Sequence, residues 1–362
     1  MPCTQTVLVK NTDTPSVVPL IKLYGSGTGT RRMFISDNPE SIFPSDFTNA
    51  GTSYLTLWHD SVSQTSVKYR LFFWHLNSTL SPIKIGVTLG NASTTDTISV
   101  SNVKTSVYNG PYFQAGGRCA AQALVGSTLD SGSSVSAASN SITVIREWVV
   151  APKQLVGGII EFDLSNATNA SSALKYKLRT IASKTSTGNL TLHQGAPCAP
   201  HDQHPRGAWG YSDLTEFSDA AKTQPVSYAA GSGNYSVALG NGVNDLVFPA
   251  GSSYDASNAF ANKALYGAIY STTLKLTNNT GASKTIRISV VGRGGSFAGA
   301  ASVNGVTVGI PTILAQTSGA TTQDGVIIHE VTVSQGAIVN VPLKMTTAGG
   351  GSTVVAILFQ TV

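Results

Sequence analysis

Apolar and polar residues alternate along this chain from end to end, in runs bounded by Gly, Asn, Ser and Pro, and no other feature constrains the fold as strongly. A period of two sends successive side chains to opposite faces of an extended strand, so each run has one face to bury. Residues 68–76, 83–89, 141–149, 158–164, 173–179, 272–276, 285–291 and 326–333 all read this way. Residues 354–360 are more continuously apolar, as suits a strand covered on both faces. Helical periodicity is nearly absent. Its best stretch is 212–221, with Ser212 as a candidate N-cap and length for a turn or two.

Many short strands joined by Gly-rich turns predict an all-β chain, here two tandem β-sandwich domains of jelly-roll or Ig-like type. The 362 residues leave room for two such units. The segment Gly195-Ala196-Pro197-Cys198-Ala199-Pro200 breaks the strand pattern and sets the expected boundary, with domains at 1–200 and 201–362. A weak internal repeat supports two units. In both halves a strand runs into an Asn/Ser/Thr turn and a returning strand, once around Asn77-Ser78-Thr79 and once around Asn278-Asn279-Thr280.

Composition narrows the function classes. Charged residues are only 11% of the chain, while Ser, Thr and Gly together make up about a third, which argues against long helices, coiled coils and charge-driven disorder. The net charge of +5 is scattered, with Arg31-Arg32 the only adjacent pair of cations, so no nucleic-acid footprint is expected. No apolar run approaches the ~20 residues of a membrane helix, and membrane insertion is not expected. The first residues lack the charged and apolar regions of a secretory signal, so no signal peptide is visible.

Four stretches together resemble uncharacterised surface proteins of spore-forming Firmicutes: 33–40 (Met33 to Glu40), 72–77 (Phe72 to Asn77), 204–207 (His204 to Gly207) and 292–299 (Gly292 to Gly299). Members of that group often carry the label of a copper amine oxidase-like N-terminal domain. The resemblance implies an extracellular or spore-surface setting and brings no established activity. The copper chemistry of the label does not carry over, because no matching oxidase site is found in the sequence.

Candidate site residues are few. His193, Cys198, His201, Asp202 and His204 crowd into one stretch, and imidazole and thiolate are favoured zinc and copper ligands, so His193, Cys198, His201 and His204 form the candidate metal set. Their spacing matches no standard zinc module, and His204 with Arg206 also reads as a loop-ordering pair. The run Gly292-Arg293-Gly294-Gly295 follows a strand, yet what comes next is another strand pair around Asn304-Gly305, so turn or bulge glycines are expected there and not a nucleotide loop. No Gly-x-Ser-x-Gly elbow is present, and the glutamates are dispersed. No enzyme activity and no cofactor are expected.

Trp74 and Trp148 lie in strands and are core candidates, whereas Trp209 and Tyr211 fall in a predicted loop and are the candidate ligand-facing aromatics. Seven Asn-x-Ser/Thr triplets begin at Asn77, Asn91, Asn166, Asn169, Asn189, Asn234 and Asn278, as a Ser/Thr-rich chain produces by chance. Of three cysteines, an odd number, Cys3 is the candidate for an intermolecular disulfide. The resulting expectation is a non-enzymatic structural protein that self-assembles on a cell or spore surface as a homo-oligomer. The alternatives are a module that binds a cell-surface glycan and a double jelly-roll viral capsid protein.

Overall fold

The computed structural model describes residues 6–16, 20–111, 113–352 and 354–362. In chain order the first half forms β1 (Asn11–Pro15), β2 (Leu20–Lys22), β3 (Tyr24–Thr28), β4 (Arg32–Ser36), β5 (Ser41–Ile42), helix α1 (Pro44–Asn49), β6 (Tyr54–Asp60), β7 (Ser66–Asn77), β8 (Ile83–Asn91), β9 (Ile98–Gly110), helix α2 (Phe113–Val125), β10 (Asp130–Ser131), β11 (Val135–Ala137), β12 (Ile142–Val150), β13 (Leu155–Asn166) and β14 (Tyr176–Ser183). The second half forms β15 (Arg206–Trp209), β16 (Asp213–Phe217), β17 (Val226–Ala229), β18 (Tyr235–Leu239), β19 (Ile269–Thr277), β20 (Lys284–Gly292), β21 (Phe297–Val303), β22 (Val306–Ile313), β23 (Thr322–Val333), β24 (Ile338–Thr346) and β25 (Val355–Thr361). The chain is all-β, as the alternation predicts.

The two halves repeat strand for strand. In the first sandwich one sheet runs β9-β13-β7-β4 and the facing sheet β12-β8-β14-β6. In the second, β21-β24-β19-β16 faces β23-β20-β25-β18, which is the same order under the same succession along the chain. Each sandwich carries a parallel pair at the same place, β4 with β7 and β16 with β19.

The hairpin turns repeat down to single hydrogen bonds. The Asn77 amide donates to Ser81 O (3.0 Å) and Val150 O (2.8 Å), and its Oδ1 accepts from the Thr79 amide (2.9 Å) and hydroxyl (2.7 Å). The Asn278 amide donates to Ala282 O (2.9 Å) and Val333 O (2.8 Å), and its Oδ1 accepts from the Thr280 amide (3.0 Å) and hydroxyl (2.7 Å). Both asparagines are fully buried. Each ties its own hairpin to the turn of a second one, and that is why Asn is needed: it supplies two donors and a doubly accepting oxygen on one short side chain. The triplet at these two sites therefore has a structural cause.

The boundary near residue 200 is crossed in both directions. Strands β1, β2 and β3 lie in the second sandwich, where β1 pairs with β23, β2 with β18 and β3 with β16. Strand β15 lies in the first, paired with β4. Residues 24–36 and 206–217 consequently form one antiparallel ribbon, with Tyr24 opposite Phe217, Thr28 opposite Asp213, Met33 opposite Trp209 and Ser36 opposite Arg206. Each sandwich thus receives the outermost strand of one sheet from the other half, through linkers at 29–31 and 210–212 that occupy equivalent places. The predicted helix at 212–221 is strand β16 instead, because the Ser212 amide donates to Thr28 O and the residues after it enter the ribbon ladder.

Helix α2 was not foreseen, since its Gly116-Gly117 pair opposes helix formation. Close packing accounts for it: a Cβ at Gly116 would meet the Tyr108 ring at 2.4 Å and one at Gly117 the Gly349 carbonyl oxygen at 2.1 Å. The helix lies between the two sandwiches, against β9 and β13 on one side and β21 and β22 on the other. On β7, Leu71 and Phe73 face the first core while Phe72 and Trp74 join the second, so this strand is buried on both faces. Trp74 fits because Gly157 and Gly349 leave room for its indole. Trp58 and Trp74 are buried, and Trp148 is partly buried against Phe73.

Candidate functional site

The segment 189–206 carries the densest set of chemically versatile side chains and packs chiefly on the first sandwich, against β6, α1 and Asn38. It begins at a short 3-10 turn, Leu190–Leu192, capped by Asn189. It then lies beside the outer strand β6: the Cys198 amide donates to Thr56 O (2.8 Å) and the Thr56 hydroxyl to Gly195 O (2.9 Å). This contact covers an otherwise open strand edge, a place where unpaired backbone groups invite association. Further on, the buried Asn38 amide donates to Asp202 O (2.9 Å) and His204 O (3.0 Å), and its Oδ1 accepts from the His201 amide (3.1 Å).

The four candidate metal ligands do not converge. His193 stacks on Tyr54 with ring centroids 5.8 Å apart. His201 Nε2 meets Asp46 Oδ1 at 2.7 Å, and His204 lies between Glu40 (3.1 Å) and Asp202 (2.8 Å). Burial pushes the Cys198 thiol up to about 11, so it is a neutral thiol and a poor ligand or nucleophile at physiological pH. Among the described residues no group of three or more His, Cys, Asp or Glu is placed to hold a metal ion. The metal set is therefore corrected to three separately partnered histidines and a half-buried thiol. Three of the four, His193, Cys198 and His201, line one cavity of about 450 Å³ with Asp46, Tyr54 and Thr56. His204 lines another, of about 370 Å³, with Asp202, Lys263 and Tyr266.

Arg206 does order the loop, as expected. Its guanidinium donates to Asn258 O (2.8 Å) and Cys198 O (2.9 Å) and packs over the Trp58 ring.

Trp209 and Tyr211 are not ligand-facing. Trp209 is 1% exposed, its indole N–H donates to Pro249 O at 2.9 Å, and its ring packs edge-on against Phe248. The Tyr211 hydroxyl donates to Val247 O, and its ring leans on the same phenylalanine. Both belong to the ribbon region, which strand pairing turns inward. Gly294 and Gly295 lie in the bend between β20 and β21, as turn glycines should, and neither they nor Gly292 has a positive φ. Gly292 is required by close approach, because a Cβ there would lie 1.8 Å from Leu314 O. Asn304 and Gly305, at φ 50° and 80°, do form the expected hairpin turn between β21 and β22. Cys3 lies outside the described residues, Cys119 on α2 is disulfide-bonded, and Cys198 is free.

Two buried groupings escaped the sequence. His75 Nδ1–H donates to Pro39 O (2.8 Å), so Nε2 accepts from the Ser36 hydroxyl (3.0 Å), which in turn accepts from Thr180 (2.7 Å). Burial lowers His75 to about 4, and it stays neutral. A serine beside a histidine resembles a nucleophile and its base, yet Ser36 and His75 are both fully enclosed. The second grouping joins the two halves. Arg70 Nε meets Glu161 Oε1 at 2.8 Å while its Nη1 bonds Asp213, and Arg31 meets Glu161 (3.2 Å) and Asp163 (2.9 Å). Only Arg31-Arg32 stood out in the sequence; the carboxylate partners of Arg31 lie some 130 residues away and left no local pattern.

No family model matches the chain, and no curated protein matches it. Among solved structures, the CUB1-EGF-CUB2 domain of human MASP-1/3 is 7% identical, with 84% of this chain and 96% of that one covered and a TM-score of 0.18. A tandem CBM22 domain of Xyn10C from Paenibacillus barcinonensis is 9% identical over 78% of this chain and 72% of that one, with a TM-score of 0.14. The protein YhaK from Escherichia coli is 8% identical over 84% and 86%, with a TM-score of 0.12. At such scores these likenesses carry no argument about function. No helix among the described residues is long and apolar enough to cross a membrane.

Proposed function

We propose that this chain is a non-enzymatic structural protein that assembles with copies of itself on a cell or spore surface, in the manner of the Firmicutes surface proteins that its motifs resemble. The observation that carries the reading is the reciprocal ribbon. It joins two sandwiches into one stiff body, and the ionisable residues that could serve chemistry are engaged inside as cross-links, Arg31 and Arg70 with Glu161, Asp163 and Asp213 foremost. A rigid body with a low-charge surface and strand edges is suited to packing against copies of itself. The parallel pair in each sandwich sets it apart from an all-antiparallel jelly roll and favours this reading over a capsid. A glycan-binding role loses Trp209 to the core and finds Tyr211 half-buried against Phe248.

Negative-stain electron microscopy of the purified protein tests it. Filaments, sheets or shells support the self-assembly reading. A uniform monomer under every condition overturns it.

A further inference from the structure

Residues 6–28 form an arm that belongs by sequence to the first half and by structure to the second. All of its ladder bonds are made with the second sandwich. Leu8 and Thr6 bond Gly309, β1 pairs with β23, β2 with β18 and β3 with β16. Every strand of the arm lies at a sheet edge: β1 and β2 close the two sides of one sheet, and β3 ends the other. Side chains seal the arm in place, with Lys10 on Asp324 (3.0 Å), the Gln323 amide on Pro15 O (2.8 Å) and the Asn241 amide on Leu23 O (2.8 Å). Residues 29–31 connect it to the first sandwich, with Gly29 at φ +90°, and on the α2 side the Gln122 amide reaches Thr6 O at 3.5 Å.

We propose that this arm exchanges between molecules, so that residues 6–28 of one copy occupy the second sandwich of the next and link the chains head to tail. The proposal rests on the self-assembly reading and supplies its joint. Four observations support it. The arm seats only at edges, so it can leave without breaking any internal ladder. β1 and β2 bury few side chains, and Leu23 is the arm's main core anchor, so opening is local and costs far less than unfolding. The hinge of residues 29–31 is short, and short hinge loops invite exchange between copies. Finally, the bonds regained in the second copy are the bonds lost in the first, which leaves concentration to decide between closed monomer and chain. Because arm and acceptor are different surfaces, such a contact is heterologous and extends into a filament unless its rotation closes a ring.

Ser26 on β3 faces Thr215 on β16, and both are half-buried. Facing antiparallel residues lie about 4.5 to 5.5 Å apart, within reach of a disulfide. Full-length Ser26→Cys and Thr215→Cys chains are mixed under oxidising conditions, and neither has an engineered cysteine facing it in the same molecule. Arm exchange predicts a reductant-sensitive heterodimer at least several-fold above the level in either variant alone or in the unmodified protein, rising with concentration. The double variant Ser26→Cys/Thr215→Cys confirms that the register forms, by closing within one chain or by giving a ladder. The facing pair Thr14 and Gln323 gives a second test should the first pair disturb folding.

Microscopy of the same samples separates the two claims. Particles without the 26–215 cross-link overturn arm exchange and leave the assembly reading standing. A cross-link confined to dimers, without particles, supports exchange and overturns extended assembly. Neither cross-link nor particles overturns both.

Discussion

The two sandwiches share a frame and differ in how each settles a buried acid. In the first, fully buried Asp60 receives both arms of the Arg32 guanidinium at 2.6 and 2.7 Å and the Tyr69 hydroxyl at 2.6 Å. In the second, Tyr270 stands where Tyr69 does, eight residues before the hairpin asparagine. Glu216 lies on β16, the counterpart of the strand that carries Arg32, and beside it is Asp245 in place of the cation. Asp245 accepts from the amides of Asn241 (2.9 Å) and Gly242 (2.8 Å). Glu216, 2% exposed, has no hydrogen-bond partner of ordinary geometry for either oxygen and faces that carboxylate. Burial pushes both carboxyls upward, and the neighbouring Asp245 raises Glu216 further, so the pair keeps a proton where the first sandwich keeps an arginine. One architecture therefore accepts either a paired charge or a retained proton at its centre, and what it does not accept is a bare charge.

The largest test of this contrast removes the cation. Arg32→Met should destabilise the protein by about 3–5 kcal/mol in denaturant unfolding, because Asp60 is left buried and unpaired. Glu216→Gln should be neutral or stabilising at neutral pH, since the amide supplies a donor without a proton to lose. A severe loss in Glu216→Gln would end the retained-proton account. Next come the shared turns. Asn77→Ala and Asn278→Ala should each cost about 2–3 kcal/mol, because each strands a buried carbonyl, Val150 O or Val333 O, and loosens a part-buried turn, and the two values should agree within about 1 kcal/mol. A wide gap would show that equal bonds do not carry equal weight in the two halves.

The pH dependences should run in opposite directions. His75, lowered to about 4 from an ordinary 6.5, binds a proton more readily in the unfolded chain, so its contribution is present above 6.5 and is lost as pH falls through that window. Glu216 and Asp245, raised, bind protons more readily in the folded chain, so their contribution is present below the ordinary carboxyl range and is lost as pH rises above it. Hydrogen exchange resolved to each sandwich should show the first weakening toward acid and the second toward neutrality, with Glu216→Gln flattening the second slope. The smallest effect should come from exposed cross-strand pairs at equivalent places. Lys84 with Glu147 joins β8 to β12 at 3.0 Å, and Arg287 with Glu330 joins β20 to β23 at 2.7 Å. Lys84→Ala and Arg287→Ala should each cost under about 1 kcal/mol, less in high salt.

Much of this frame was legible from period and turn chemistry alone. The runs at 68–76, 83–89 and 285–291 are β7, β8 and β20, and the repeat seen at Asn77 and Asn278 is a repeat of bonds. Alternation tells which face of a strand is covered and never by which partner, so it did not show that β1, β2 and β3 would cross into the far sandwich or that β15 would return. The same blindness misplaced Trp209, which lies in strand β15 opposite Met33 more than 170 residues away, while Tyr211 is in a loop as expected but leans on Phe248. Helix α2 was hidden because its glycines answer to Tyr108 and Gly349, neither of which has a helical relation to them. The metal set failed for a related reason: histidines close in sequence found separate partners, His193 the Tyr54 ring, His201 Asp46, and His204 Glu40 with Asp202.

The crossing arm also decides how the molecule carries a load. Strands β1 and β25 lie in the same sheet, so tension applied between residue 11 and residue 361 enters and leaves through the second sandwich. The first sandwich hangs outside that line of force and feels none of it until the edge strands have peeled away. In a chain of exchanged arms the path would run differently, from each arm through residues 29–31 into its own first sandwich, and both sandwiches would then stand in series along the fibre.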